Sequence, residues 1–132
     1  MSDIDQARRR FTELHEAGTF LMPNAWDVGS ARLFADLGFE AIATTSSGLA
    51  ATMGRLDQTL TLEELLGHVA DLTAAVDIPV SVDAEDGYAD NAAGLVATVE
   101  ALAGVGAAEF AHGEVKGVKP ASTSGRSLTI AR

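Results

Sequence analysis

The sequence predicts an α/β fold of parallel βαβ units, and three observations point there. Short apolar runs end in turn residues, amphipathic helical segments separate them, and capping signals stand where those helices begin. Residues 5–17 place Ala7, Phe11, Leu14 and Ala17 at helical spacing with Gly18 behind them, which predicts a leading helix. Phe20-Leu21-Met22, closed by Pro23-Asn24, reads as a first buried strand. Asp27 can cap a second helix whose apolar face is Val28, Ala31, Leu33, Phe34 and Leu37, ended by Gly38. Ala41-Ile42-Ala43-Thr44 is the second strand, and it runs into a loop of small residues, Thr45-Ser46-Ser47-Gly48. Thr61-Leu62-Glu63-Glu64 is a capping box that opens a helix to about residue 76. Ile78-Pro79-Val80-Ser81-Val82 is a third strand broken off by Asp83-Ala84-Glu85-Asp86-Gly87-Tyr88. Asp90 or Asn91 starts a helix to about residue 103, and Gly104-Val105-Gly106-Ala107-Ala108 leads into a fourth strand. An open doubly wound sheet and a (β/α)8 barrel both fit this order. The first strand–helix junction lacks G-x-G-x-x-G, which disfavours a dinucleotide-binding sheet.

Composition narrows the function. The 132 residues suit one domain, and 47% hydrophobic against 21% charged residues allow a packed core. A net charge of −10 argues against binding duplex nucleic acid or an anionic membrane. The absence of cysteine excludes disulfides, thiolate zinc sites and cysteine nucleophiles. No apolar run approaches the roughly 18 residues of a membrane span, and the polar start at Ser2–Arg10 is unlike a signal peptide, so a soluble, cytoplasmic protein is expected.

In parallel α/β folds the loops at the carboxyl ends of the strands carry the chemistry. The loop at Thr45, Ser46 and Ser47 is small and hydroxyl-rich, so a ligand can approach its N–H groups, which suit a carboxylate or enolate oxygen. Asp83 and Glu85 stand two apart at a strand end, where both can reach one side, with Asp86 beside them. Hard carboxylate oxygens without His or Cys favour Mg²⁺ or Mn²⁺ over zinc. Asp57, on the connection after the second strand, is placed to join them. The same residue types also serve as turns, caps and solubilising charges. His15 and His68 have no partner at ligand spacing, and Trp26 reads as a packing residue.

Together these stretches resemble the isocitrate lyase / phosphoenolpyruvate mutase superfamily. The resemblance rests on Pro23-Asn24-Ala25-Trp26-Asp27-Val28-Gly29-Ser30-Ala31, on residues 41–50, on Gly54-Arg55-Leu56-Asp57 and on residues 82–88, in order across residues 10–108. It implies a (β/α)8 TIM barrel preceded by a helix, and Mg²⁺-dependent lyase or mutase chemistry. Such enzymes cleave or form C–C or C–P bonds in small 2-oxo or 2-hydroxy carboxylic acids through an enolate. Carried over by position, Thr45, Ser46 and Ser47 would bind the substrate carboxylate, Asp83 and Glu85 would hold the metal, and Asp57 would be a catalytic carboxylate near it. Mn²⁺ is the expected substitute for Mg²⁺. Glu85 stands where many members have Asp. The Ile-Glu-Asp-like segment after the fourth strand is replaced here by Glu109-Phe110-Ala111-His112-Gly113-Glu114, and the Lys-Cys-Gly-His-type loop is missing.

A (β/α)8 barrel needs about 250 residues, so the chain supplies about four of eight units. Residues 1–106 carry 17 acids against five arginines, a net of −12, whereas residues 107–132 carry two acids against four bases, a net of +2. The expectation is a partial barrel over residues 1–108 followed by a divergent, disordered tail over 109–132, that is, a truncated member. The alternative is an inactive fragment, or an assembly module whose half barrel pairs with another copy as a homo-oligomer.

Overall fold

The computed structural model describes residues 3–113 and the backbone of residues 126–129. Among the described residues, five helices and five strands follow in the order α1 (Asp3–Leu14), β1 (Asn24–Ala25), α2 (Val28–Asp36), β2 (Ile42–Thr44), α3 (Ser46–Thr52), α4 (Leu62–Ala75), β3 (Val80–Asp83), α5 (Ala92–Gly104), β4 (Glu109–His112) and β5 (Arg126–Thr129). The sheet order is β1-β2-β3-β4-β5; the first four strands are parallel and β5 runs antiparallel to β4. The expected α/β class with parallel strands is therefore present. Among the described residues no helix is long and apolar enough to cross a membrane.

Register explains which side chains share a face. Val80 and Val82 point to one side of β3 and pack with Ile42, Phe110, Leu65, Val69, Leu72 and Leu102, so α4 and α5 cover that side. Ala31 and Phe34 of α2 join the same core. Alternation turns Ser81 and Asp83 to the opposite face, where Ala43, Ser81 and Glu109 lie abreast and Asp83 lies beside Ala111. At the amino ends of the strands α1 closes the structure: Phe11 packs with Ala41 and Ala108, and Leu14, Phe20 and Met22 surround them. Arg8 ties α1 to the end of α5 by donating to the carbonyls of Ala103 (2.8 Å) and Ala107 (3.2 Å).

Several elements differ from the expectation. The apolar run 20–22 is no strand; Phe20 and Met22 are used up in packing under α1, and β1 is two residues further along at Asn24–Ala25. The small-residue loop at Thr45–Gly48 is instead the start of α3, with Thr45 as its N-cap. Asn91, and not Asp90, caps α5. The fourth strand is not in residues 104–108 but in Glu109–His112, past the boundary expected at Ala108. Residues 114–125 and 130–132 of the expected disordered tail lie outside the described residues.

Candidate active site

Every loop expected to carry chemistry lies at the carboxyl ends of the parallel strands. After β1, Asp27 caps α2: its Oδ1 accepts the Ser30 amide at 2.7 Å, and Ser30 Oγ accepts the Asp27 amide at 3.1 Å. That hydrogen bond holds the Asp27 carboxyl below the usual range. Asp27 is thus a structural cap. Trp26 beside it is 45% exposed and packs edge-on against Phe34.

After β2 the chain turns at once into α3. Thr45 Oγ1 accepts the Gly48 amide at 3.2 Å and lies 3.3 Å from Ser47 Oγ. Gly48 admits no side chain, because a Cβ there would stand 2.6 Å from Thr45 Cγ2. Ser46 is buried and turns toward β3: its amide (2.9 Å) and hydroxyl (2.6 Å) both donate to Asp83 Oδ2. The Asp83 amide donates in turn to Thr44 Oγ1 at 2.9 Å. The ends of β2 and β3 are therefore laced together through Asp83. Ser46 is bound to that carboxylate, whereas Ser47 is exposed.

After β3 the backbone makes a tight knot. Glu85 (φ +48°), Gly87 (φ +82°) and Tyr88 (φ +51°) are in the left-handed region, which costs an L residue about 1–2 kcal/mol. Bonds to neighbouring backbone hold this shape, from Ala84 to Ala111 O (2.9 Å), from Gly87 to Ala84 O (2.7 Å) and from Gly113 to Glu85 O (2.6 Å). Asp83 Oδ1 accepts the Glu85 amide at 3.3 Å. The Glu85 Oε1 atom is buried and has no hydrogen-bond partner among the described residues, and the Tyr88 hydroxyl is in the same condition. Burial pushes the Glu85 carboxyl above its usual range; the charges of Asp83, Asp57 and Asp86 add to this, while the neighbouring Tyr88 hydroxyl opposes it. The phenol of Tyr88, buried beside that carboxyl, is pushed up as well.

The three acids expected to act together are not brought together equally. Asp83 and Glu85 adjoin. Asp57 is exposed on the connection after α3, and its Oδ1 accepts the Gln58 amide at 2.9 Å; it reaches Glu85 through its electric field. Among the described residues no group of three His, Cys, Asp or Glu side chains is close enough to hold one ion.

Two residues named in the sequence were given no role there. Tyr88 gives no signal of its own, because only the left-handed backbone aims its hydroxyl inward. Glu109 sits on the helix-free face, 2% exposed, and accepts a hydrogen bond from Ser81 Oγ. Burial raises its carboxyl against that bond and against the field of His15. His15 is itself a packing residue, its ring tilted against Phe11 at 4.7 Å and edge-on to Phe20 at 5.0 Å between ring centres.

Residues 11–115 match the family model described as phosphoenolpyruvate phosphomutase. The chain belongs to this family. Solved structures agree with the assignment. A Burkholderia cenocepacia protein assigned as a lyase/mutase superposes with a TM-score of 0.81 at 40% identity, over 83% of this chain and 40% of that one. A 2,3-dimethylmalate lyase of the phosphoenolpyruvate mutase/isocitrate lyase superfamily superposes with a TM-score of 0.70 at 26% identity, over 83% of this chain and 39% of that one. Among curated relatives, an oxaloacetate decarboxylase of Paraburkholderia xenovorans is 33% identical over 127 residues, 95% of this chain and 42% of its own length. A Mycobacterium tuberculosis protein of uncharacterised function is 42% identical over 81 residues, 61% of this chain. This phosphoenolpyruvate phosphomutase family chain thus spans about a third to two fifths of the curated relatives it matches. The relatives that share this family include lyases and mutases.

Proposed function

We propose that the chain carries the amino-terminal part of a Mg²⁺-dependent lyase or mutase site for small 2-oxo or 2-hydroxy carboxylic acids, within a partial (β/α)8 barrel. The observation that carries this reading is the pair Asp83–Glu85. One carboxylate is locked in place by Ser46, and the other keeps a buried oxygen without a partner among the described residues, with the further negative charges of Asp57 and Asp86 acting on it. Such a place fits a cation. Mg²⁺ is commonly held by one or two carboxylates, with waters and substrate completing its shell, so two protein donors suffice. Mn²⁺ has the same taste in ligands.

Asp83 and Glu85 would hold the ion, directly or through water. When bound, it supplies positive charge against the electron density that collects on the substrate oxygen as the adjacent C–C or C–P bond breaks. Ser46 acts through Asp83, keeping the carboxylate aimed. The hydroxyls of Thr45 and Ser47 stand on the neighbouring strand end and suit the substrate carboxylate as hydrogen-bond donors. Asp57 adds a carboxylate in the surrounding shell that biases the protonation of Glu85. The relation to an oxaloacetate decarboxylase and a 2,3-dimethylmalate lyase supports this substrate class.

The test is turnover. With Mg²⁺ and a panel of 2-methylisocitrate, isocitrate and oxaloacetate, the expected result is pyruvate or glyoxylate release that disappears in Asp83→Ala. Release that is indifferent to Mg²⁺, or unchanged in Asp83→Ala, contradicts the reading. A second reading, in which the half barrel serves assembly with another copy, is favoured by one observation: β1 pairs on one side only among the described residues, leaving an open sheet edge. A stable dimer with no turnover on any of the three acids would support it.

A further inference from the structure

We infer that Tyr88 is the positioning residue for Glu85, its hydroxyl reserved to hold the Glu85 carboxylate when a divalent cation is bound. This rests on the metal reading above. Two buried polar atoms in this loop have no hydrogen-bond partner among the described residues, Tyr88 OH and Glu85 Oε1, and the phenol and the carboxyl are close enough to act on one another. Burying one such group without a partner costs stability, and native proteins rarely keep two in one loop without a use for them. A phenol donates one hydrogen and a carboxylate accepts, so each atom is what the other lacks.

The backbone carries the same message. The chain leaves the extended region at Glu85 and again at Tyr88. Neither residue is glycine, and both have a bulky side chain. Strain of this kind survives only where the surroundings over-determine it, and it gathers at working sites. Its effect is that both polar ends turn into the same loop interior. The ring of Tyr88 meanwhile packs against the main core, so the hydroxyl is anchored by apolar contact and not by its own polar bonds. A rigid ring carrying an unspent donor beside a ligand carboxylate resembles the outer partners that orient metal ligands in general.

This assigns Tyr88 two opposite effects, which a merely structural tyrosine would not combine. Without metal, the hydroxyl makes no hydrogen bond of normal geometry among the described residues, so Tyr88→Phe is expected to be as stable as the wild type or more stable. With metal, the hydroxyl orients Glu85, so Tyr88→Phe is expected to bind Mn²⁺ about tenfold more weakly. In a Glu85→Gln background the same change is expected to leave Mn²⁺ affinity unaltered, because the group it orients has lost its charge.

The experiment uses the full chain, with free Mn²⁺ followed by electron paramagnetic resonance and metal-free stability followed by urea denaturation. Weaker binding with undiminished metal-free stability, and coupling to Glu85, is the expected result. Equal Mn²⁺ affinity in wild type and Tyr88→Phe overturns the role of Tyr88 while leaving the metal site standing. A tenfold loss that persists in the Glu85→Gln background also overturns it. Failure of the wild type to bind Mn²⁺ removes the metal reading and this inference together.

Discussion

Ser46→Ala isolates one atom of the candidate site. The substitution removes the hydroxyl that donates to Asp83 Oδ2 at 2.6 Å and leaves the Ser46 amide at 2.9 Å from the same oxygen. A hydrogen bond to a charged group contributes about 1.5–3 kcal/mol. Asp83 is half-buried and keeps two amide donors, from Ser46 and Glu85, so water and these donors recover part of the loss. The expected cost is about 1–2 kcal/mol, or about 4–8 °C in Tm for a domain of this size. Alanine suits the first turn of a helix, so propensity does not add to the cost. Ser47→Ala is the control: Ser47 is exposed and, among the described residues, its hydroxyl meets only Thr45 Oγ1 at 3.3 Å, so it should shift stability by less than about 0.5 kcal/mol. Urea denaturation of the three proteins measures both values. If Ser46→Ala costs no more than Ser47→Ala, Asp83 is not held by that hydroxyl, and the argument that β2 and β3 are laced through it fails.

Two further outcomes test the surrounding structure, beside the turnover of Asp83→Ala and the binding by Tyr88→Phe. Glu109 has its carboxyl raised from its ordinary 4.5 by burial. An acid raised on folding contributes stability that is complete below the unfolded value and is lost as pH rises through the folded one. The stability of wild type relative to Glu109→Gln should therefore decline as pH rises above about 4.5, and a flat or rising difference in urea midpoints would refute the shift. Gly106 has φ +92°, and a Cβ there would lie 3.2 Å from Thr73 Cβ and Oγ1. Gly106→Ala should cost about 1–3 kcal/mol in denaturant titration, and an unchanged midpoint would show that α4 and α5 adapt freely where Thr73 donates to Val105 O at 2.7 Å.

The sequence made the helices legible where local chemistry decides them. Thr61 and Glu64 form the capping box that their spacing announces, with Thr61 Oγ1 accepting the Glu64 amide and Glu64 Oε2 accepting the Thr61 amide. Asp27 does the same for α2. Strand positions were legible only approximately, because an apolar run does not say against what it packs. Phe20 and Met22 look like a strand and serve a cluster under α1. Thr45-Ser46-Ser47-Gly48 has turn composition, yet Asp83, 37 positions away in sequence, supplies an acceptor for the first helical amide. A partner that distant cannot be read from the loop itself. For the site, the pairing of Asp83 with Glu85 follows from their spacing at a strand end, whereas Ser46 as the holder of Asp83 needed coordinates. Asp57 looked like a third member of the group and stays at the rim on its own turn. Tyr88 and Glu109 were invisible for a common reason: each matters through what its backbone aims it at.

On the proposed reading, a divalent ion is drawn to the carboxyl end of the sheet at Asp83 and Glu85. Amide NMR of the full chain under Mn²⁺ titration tests this most directly, because a bound paramagnetic ion broadens nearby signals first. The expected result is early loss of the amides of residues 45–47 and 83–88 in wild type, abolished in Asp83→Asn, with residues 3–10 and 73–78 at the opposite end untouched. Broadening centred elsewhere, or identical in Asp83→Asn, would contradict it.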